Sequence, residues 1–389
     1  METQAVYEHN SYLKNLKAKI IDIRYKDKIE LLFDKTIFYP EGGGQPSDTG
    51  YILAGDERVE IIDAQEEEGK IWHTVEKGEH LRIGLEAEQF IDWDKRFQNM
   101  QSHSGEHIFS GLLSKYYKAN NTGFHIGKDY FTCDYDIELS REKLQEIEIH
   151  VNTVIQKNIP IDSSYPSQEE IEKIDYRSKK EIDGPIRITA IPEVDSCACC
   201  GTHVGSSGEI GYIKLISFER YKKGIRCTLK AGMAAVKYSV SASDIVEEIG
   251  RKYSCSMGDV IDRLEKTEKD KETLLNEIKV LKKEKILALT EKTEKQENLY
   301  LKLDADMEDG RVIANELLSK CRNLFLHLNK DQFLIASRKE QAKVIFEEMK
   351  ENLRGGGSSS MVQGKIVKEN ENMEKDFYSC VERNLKEEM

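Results

Sequence analysis

Two short segments far apart in the chain each pair residues at metal-ligand spacing. In His103-Ser104-Gly105-Glu106-His107 the histidines stand at i and i+4. On a helix they share one face, with Cβ atoms roughly 5–6 Å apart, so both imidazoles reach one ion. In Ser196-Cys197-Ala198-Cys199-Cys200-Gly201-Thr202-His203, three residues separate Cys199 from His203, while Cys200 stands one residue nearer. Gly201 gives the backbone freedom to turn between ligands. Thiolate and imidazole both suit zinc, and His103, His107, Cys199 and His203 together make a plausible tetrahedral set. A fold that uses both pairs must bring the two segments into contact.

The 389 residues are enough for two or three domains. Charged residues make up 33% and hydrophobic ones 39%. No apolar run reaches the roughly 18 residues of a transmembrane helix, so no membrane partner is expected. Met1-Glu2-Thr3-Gln4 opens no basic-then-apolar signal pattern. Eight cysteines without a signal peptide argue against a disulfide framework and make the cytoplasm the expected location. The net charge of −13 repels nucleic acid at long range, so such a partner needs a local basic surface. Between Ile210 and Lys230 there is one. Lys214, Arg220, Lys222, Lys223, Arg226 and Lys230 face Glu219 alone, with Tyr212, Phe218 and Tyr221 interleaved. This reads as a phosphate-contacting and base-stacking edge, or otherwise as a solvated hairpin.

Along the chain the pattern predicts an α+β multidomain protein. Residues 1–90 read as a small β-barrel with a glycine-rich loop, including strands at Val59–Asp63 and Lys70–Val75. Residues 91–250 read as an α+β metal-binding domain. Its expected helices lie at 92–117, with Asp92 or Asp94 as N-cap, and at 140–157. Its expected strands are Ile186–Ile191, Gly211–Glu219 and Ile225–Leu229. A Lys/Glu/Leu-rich helix with an imperfect heptad seam is expected from Gly258 to about Leu301, making 251–305 a coiled-coil-like linker. Residues 306–389 read as an α/β unit: helix Val312–Leu326, strand Gln332–Ser337, helix Glu340–Asn352, a Gly355–Ser360 run and a last helix from about Asn370. The Gly355–Ser360 run reads as a flexible linker.

The HSGEH and CCGTHV segments, with Tyr39-Pro40-Glu41-Gly42-Gly43-Gly44-Gln45-Pro46-Ser47-Asp48-Thr49-Gly50 upstream, resemble the editing domain of alanyl-tRNA synthetase. Their order and spacing are more similar still to the free-standing alanyl-tRNA editing proteins, the AlaX group. The stretch from Gly355 to Lys365 resembles the glycine-rich end of the DHH-associated domain of alanyl-tRNA synthetases, which extends the likeness to the long form. The resemblance implies a zinc-dependent deacylase acting in trans on tRNA(Ala) mischarged with serine, or in some members glycine, without an aminoacylation core. It assigns zinc to His103, His107, Cys199 and His203, although the usual CGGTH reads Cys199-Cys200-Gly201-Thr202-His203 here. It places Gln45 near the pocket as a polar contact and makes Thr122 a candidate for the serine hydroxyl. It also makes the backbone of Gly355, Gly356 and Gly357 a candidate phosphate contact.

Other features keep alternatives open. HSGEH also fits the H-x-x-E-H of inverted zinc peptidases, with Glu106 as general base; in the editing reading Glu106 points off the ligand face. A tRNA-binding protein with only structural zinc is a third reading. Asp195 is placed to orient a ligand, and His125 is expected to be packed. The partial heptad seam predicts a homodimer through the C-terminal half.

Overall fold

The computed structural model describes residues 3–178, 184–329, 331–368 and 372–387. The chain forms two compact units, 1–249 and 250–389.

The first unit opens with a closed six-stranded barrel. Strands Asn15–Tyr25, Ile29–Phe33, Lys70–Val75, Glu57–Glu67, Gly50–Ala54 and Glu86–Ile91 follow one another around it. Closure removes the exposed edges that a sheet of short strands would otherwise offer. Inward positions alternate with exposed ones, so Val59, Ile61 and Ala64 pack with Ile20, Leu31 and Ile52. Helix α1, Trp93–Tyr117, leaves the barrel directly. The Asp92 side chain accepts from Lys95 N at 3.2 Å and fixes its start, as expected of that cap. Ser102 through Leu113 are all buried, so α1 is the central rod of this half.

Around α1 pack helix α2, Arg141–Gln156, capped by Ser140, and two antiparallel sheets. One orders its strands Ile213–Tyr221, Gly224–Ala231, Phe131–Tyr135 and Asn121–Ile126. The other orders them Asp162–Ser164, Ile188–Ile191 and Asp195–Ala198. Leu144, Ile147, Val151 and Ile155 line the buried face of α2, at the helical spacing the sequence shows. A helix at Gly232–Tyr253, absent from the expected elements, follows the second of these β-hairpin strands.

The barrel and α1 are joined by a buried ion pair. Arg96 and Asp48 are both fully buried. Arg96 Nε donates to Asp48 Oδ1 at 3.0 Å, Nη1 to Ser11 O at 2.9 Å, and Nη2 to Ile37 O and Asp48 Oδ2. Asp48 Oδ2 also accepts from Tyr39 N at 2.7 Å. The pair therefore sets where the glycine-rich loop lies on α1.

The second unit holds helix Val260–Lys292 and a five-stranded sheet ordered Asn298–Lys302, Asn323–Leu328, Gln332–Ser337, Met361–Ile366, Leu353–Gly357. Four expectations change here. The long helix stops at Lys292, and residues near Leu301 form a strand. Ile286, in its last turns, packs into a core with Leu299, Ile313 and Leu317. The helix expected at Val312–Leu326 divides into helix Met307–Leu317 and strand Asn323–Leu328. Every residue of that strand is buried, Asn323 and His327 included, so its short apolar run Leu324–Leu326 carries no period to distinguish strand from helix. The Gly355–Ser360 run is neither free linker nor loop throughout, since Gly355, Gly356 and Gly357 pair with Gly364, Gln363 and Val362 on the sheet edge. Helix Ala342–Glu348 is shorter than expected, and the last helix is Met373–Glu387. Asn370 lies outside the described residues. Among the described residues no helix is long and apolar enough to cross a membrane.

Candidate metal centre

Helix α1 presents His103 and His107 on one buried face, one turn apart. The loop after strand Asp195–Ala198 brings Cys199 and His203 against them. Cys199 Sγ lies 3.3 Å from His103 Nε2 and 3.3 Å from His203 Nε2. The ligand atoms of His103, His107, Cys199 and His203 all lie within 4.8 Å of one another. The approach is close enough to require glycine at 201: a Cβ there would sit 2.1 Å from His103 Cε1.

Each imidazole is turned by a partner on its other nitrogen. Nδ1 of His103 meets Gln45 Oε1 at 2.9 Å, Nδ1 of His107 meets Asp195 Oδ2 at 2.9 Å, and Nδ1 of His203 lies 3.2 Å from Ser104 Oγ. The Nε2 atoms are thereby left for the shared centre, which is how outer partners fix the tautomer and aim of metal-binding histidines. Asp195 is itself gripped by Arg177, whose Nε and Nη2 donate to its two oxygens at 2.7 and 2.8 Å. His107, Asp195 and Cys197 also group closely, but Asp195 is engaged there by Arg177 and His107 Nδ1.

The electrostatics favour ligation at Cys199 and His203, whereas at His107 burial is outweighed by Asp195 and Cys199, which hold it well above its ordinary value. Burial raises the Cys199 thiol, but neighbouring His103 and His203 outweigh it and hold the group well below the usual thiol range. Burial pushes His203 down to about 3, leaving it neutral as ligation requires. Three imidazole nitrogens and one thiolate, on oriented side chains, are a donor set compatible with zinc.

The barrel reaches this centre through its glycine-rich loop. Gly44 has φ +85°, and a Cβ there would lie 2.3 Å from Phe124 O. Ile126 N donates to Gly44 O at 2.8 Å, docking the loop on strand Asn121–Ile126. Gln45, fully buried, then donates from Nε2 to Thr202 Oγ1 at 2.9 Å and accepts from Thr202 N at 3.2 Å. The family resemblance placed Gln45 near the pocket, and the position of Asp195 four residues before Cys199 suggested an orienting role. The sequence reading did not single out Ser104, Arg177 or Thr202. Only the i+1 position of Ser104 beside His103 hinted at its role.

A cavity of about 490 Å³ opens beside the centre, lined by Gly43, Gly44, His107, Phe124, Arg187 and Cys200 among others. Cys200 is exposed, and it is Cys199 that meets the imidazoles. Glu106 also lines the cavity, although the sequence reading aims it away from the ligand face. It is 3% exposed, with Oε2 3.8 Å from His107 Nε2. The reason is the burial of α1 on all sides, so a neighbouring face also meets the cavity. Thr122 is exposed, donates to Asp134 O at 3.3 Å and is not among the described lining residues. His125, expected to be packed, is exposed.

The basic edge is less bare than its sequence. Lys214 pairs with Glu148 at 2.8 Å, Arg220 with Glu138 at 3.0 Å, Arg226 with Asp134 at 2.6 Å and Lys230 with Asp129 at 2.7 Å. The acids come from other segments, invisible in a local charge count. Lys222 and Lys223 are exposed at the hairpin turn, and Arg226 stacks 3.9 Å above the Tyr221 ring.

Residues 4–95 match the family described as tRNA synthetases class II (A), and residues 186–226 match the threonyl and alanyl tRNA synthetase second additional domain. The chain is 30% identical to alanyl-tRNA editing protein AlaX-L of Pyrococcus horikoshii, covering 93% of this chain and 94% of that one. It is 29% identical to the alanine–tRNA ligase of Thermococcus kodakarensis and 30% identical to that of Pyrococcus furiosus, in each case over 94% of this chain but 42% of the ligase. A match at this identity, running nearly end to end in both chains, places the sequence in one family: it belongs to the AlaX-L alanyl-tRNA editing proteins.

Proposed function

We propose that this chain is a zinc-dependent hydrolase that deacylates mischarged tRNA(Ala) in trans, on the seryl ester or, alternatively, the glycyl ester, without aminoacylating tRNA itself. The observation that carries the reading is the convergence of His103, His107, Cys199 and His203 beside a cavity. When bound there, zinc supplies Lewis-acid polarisation or a water of lowered pKa. The chain's own residues do the rest. Gln45, Asp195 and Ser104 orient the three imidazoles. The glycine-rich loop and Phe124 line one side of the cavity. A seryl hydroxyl held by a polar group in that cavity distinguishes serine from alanine, because alanine leaves the partner unsatisfied.

Lys222, Lys223, Arg226 and the other basic side chains of this hairpin are proposed phosphate contacts for the acceptor end. The exposed edge at Gly355, Gly356 and Gly357 is proposed as a second contact on the same tRNA. Leu274, Ile278 and Leu281 are exposed at heptad spacing on helix Val260–Lys292 and support a homodimer through this half. Released serine from Ser-tRNA(Ala), followed beside a peptide library, tests the function. Serine release without peptide cleavage supports it. Peptide cleavage alone favours the peptidase reading, which leaves Cys199 and His203 without a part.

A further inference from the structure

Arg187 lines the cavity beside the metal centre and is 4% exposed. It directly precedes strand Ile188–Ile191, and its carbonyl accepts from Cys199 N at 3.0 Å. The guanidinium spends Nη1 on the carbonyls of Cys199 and Gly201, at 3.1 and 2.8 Å, and Nη2 on the carbonyl of Glu8, at 3.2 Å. Nε is buried and has no hydrogen-bond partner. The Glu8 carboxylate accepts from Tyr165 OH at 2.9 Å instead. Among the described residues, then, every hydrogen-bond partner of this guanidinium is a neutral carbonyl. Arg96 and Arg177 in the same unit each grip an aspartate, Asp48 and Asp195. A guanidinium stays protonated at any ordinary pH, and a buried charge is costly without an opposite one. The carbonyls hold Arg187 in place without neutralising it, so its charge is left for whatever enters the cavity.

An ester on the terminal ribose of a tRNA brings one fixed anion with it. The phosphodiester that joins this ribose to the rest of the chain hangs a few bonds from the ester carbonyl. Arg187 is equally near the centre: it bonds the backbone carbonyl of Cys199, whose own thiolate meets His103 and His203. A guanidinium fork matches phosphate oxygens in shape and charge, and such charge-assisted bonds are stronger than neutral ones. A phosphate oxygen also answers the Nε–H that the protein leaves unsatisfied. We infer that Arg187 is the receptor for the terminal phosphodiester of the tRNA substrate, so that the cavity binds the nucleotide's anion as well as its acyl group. This deepens the deacylase reading and rests on it.

The test uses the full-length, zinc-loaded protein and two hydrolysis-resistant ligands, seryl amides of an aminodeoxyadenosine. One carries a methyl phosphodiester on its primary hydroxyl, and the other leaves that hydroxyl free. Calorimetry is expected to show wild type binding the diester roughly 10- to 100-fold more tightly, the range of a hydrogen bond to a charged group. Arg187→Gln should bring the two ligands to within about threefold of each other. Arg187→Lys, which keeps the charge but not the fork, should retain part of the gap. Equal affinities in wild type overturn the inference with no variant needed. A gap undiminished in zinc-loaded Arg187→Gln overturns it too. Zinc loss from both variants would make Arg187 a strut of the ligand loop, and that also counts against it. If wild type fails to hydrolyse Ser-tRNA(Ala), the deacylase reading itself fails, whereas hydrolysis with equal affinities defeats this inference alone.

Discussion

Gln45 Oε1, on the barrel's glycine-rich loop, stands 2.9 Å from Nδ1 of His103 on α1, and the same side chain grips Thr202 between Cys199 and His203. One buried amide thus links the barrel to both ligand segments. Gln45→Leu removes all three bonds. Zinc affinity should fall about 10- to 100-fold, the usual cost of losing such a partner. Competition with a chromogenic chelator measures it, and an unchanged affinity would show that the loop merely fills space.

Asp195 does for His107 what Gln45 does for His103, with a charge. Burial raises its carboxyl, yet His107 and Arg177 together hold it below the usual carboxylate range. Asp195→Asn keeps the shape but loses the bidentate grip of Arg177. Zinc binding should weaken by about 10-fold or more, and Arg177→Met should follow in the same direction. Chelator competition on both variants reads this, and two normal affinities would count against it.

The fully buried Arg96–Asp48 pair is expected to carry the join between barrel and α1. Asp48→Ala leaves the guanidinium buried without its counter-charge, a loss of about 3–5 kcal/mol. Urea unfolding should show the lowered midpoint. A loss below about 1 kcal/mol, the exposed-pair range, would contradict the burial seen here.

His73 sits inside the barrel, Nε2 2.8 Å from Thr36 Oγ1 and Nδ1 3.2 Å from Leu31 O. Burial pushes its pKa from 6.5 down to about 4. The folded state holds it neutral while the unfolded chain takes a proton below pH 6.5. Its stabilisation is therefore complete above pH 6.5 and is lost as pH falls through the window to 4, by about 3 kcal/mol. His73→Gln should flatten the pH dependence of urea stability in that window. An unchanged slope would place the acid sensitivity elsewhere.

Much of this could be read from residue order. Asp92 before a periodic run marked α1, and the i, i+4 histidines fixed which face mattered. Lys70–Val75 and Gln332–Ser337 coincide with strands whose composition is β-branched or apolar between turn residues. What escaped depends on tertiary context. The helix Gly232–Tyr253 opens on glycine and is rich in Ser and Val, weak helix formers. Glu106 looked outward because a helical wheel assigns one buried face, whereas α1 is buried all round from Ser102 to Leu113. The ion pairs that occupy Arg226 and Lys230 join segments about a hundred residues apart, beyond any local charge count.

Hydrolysis of Ser-tRNA(Ala), Gly-tRNA(Ala) and Ala-tRNA(Ala), measured side by side with zinc-loaded protein and with Cys199→Ala, addresses the proposed activity most directly. The expected result is rapid loss of the seryl or glycyl ester, with the alanyl ester spared. About one zinc per chain should accompany it, with neither zinc nor activity in Cys199→Ala. Equal hydrolysis of all three esters, or full activity in a metal-free Cys199→Ala protein, would contradict it.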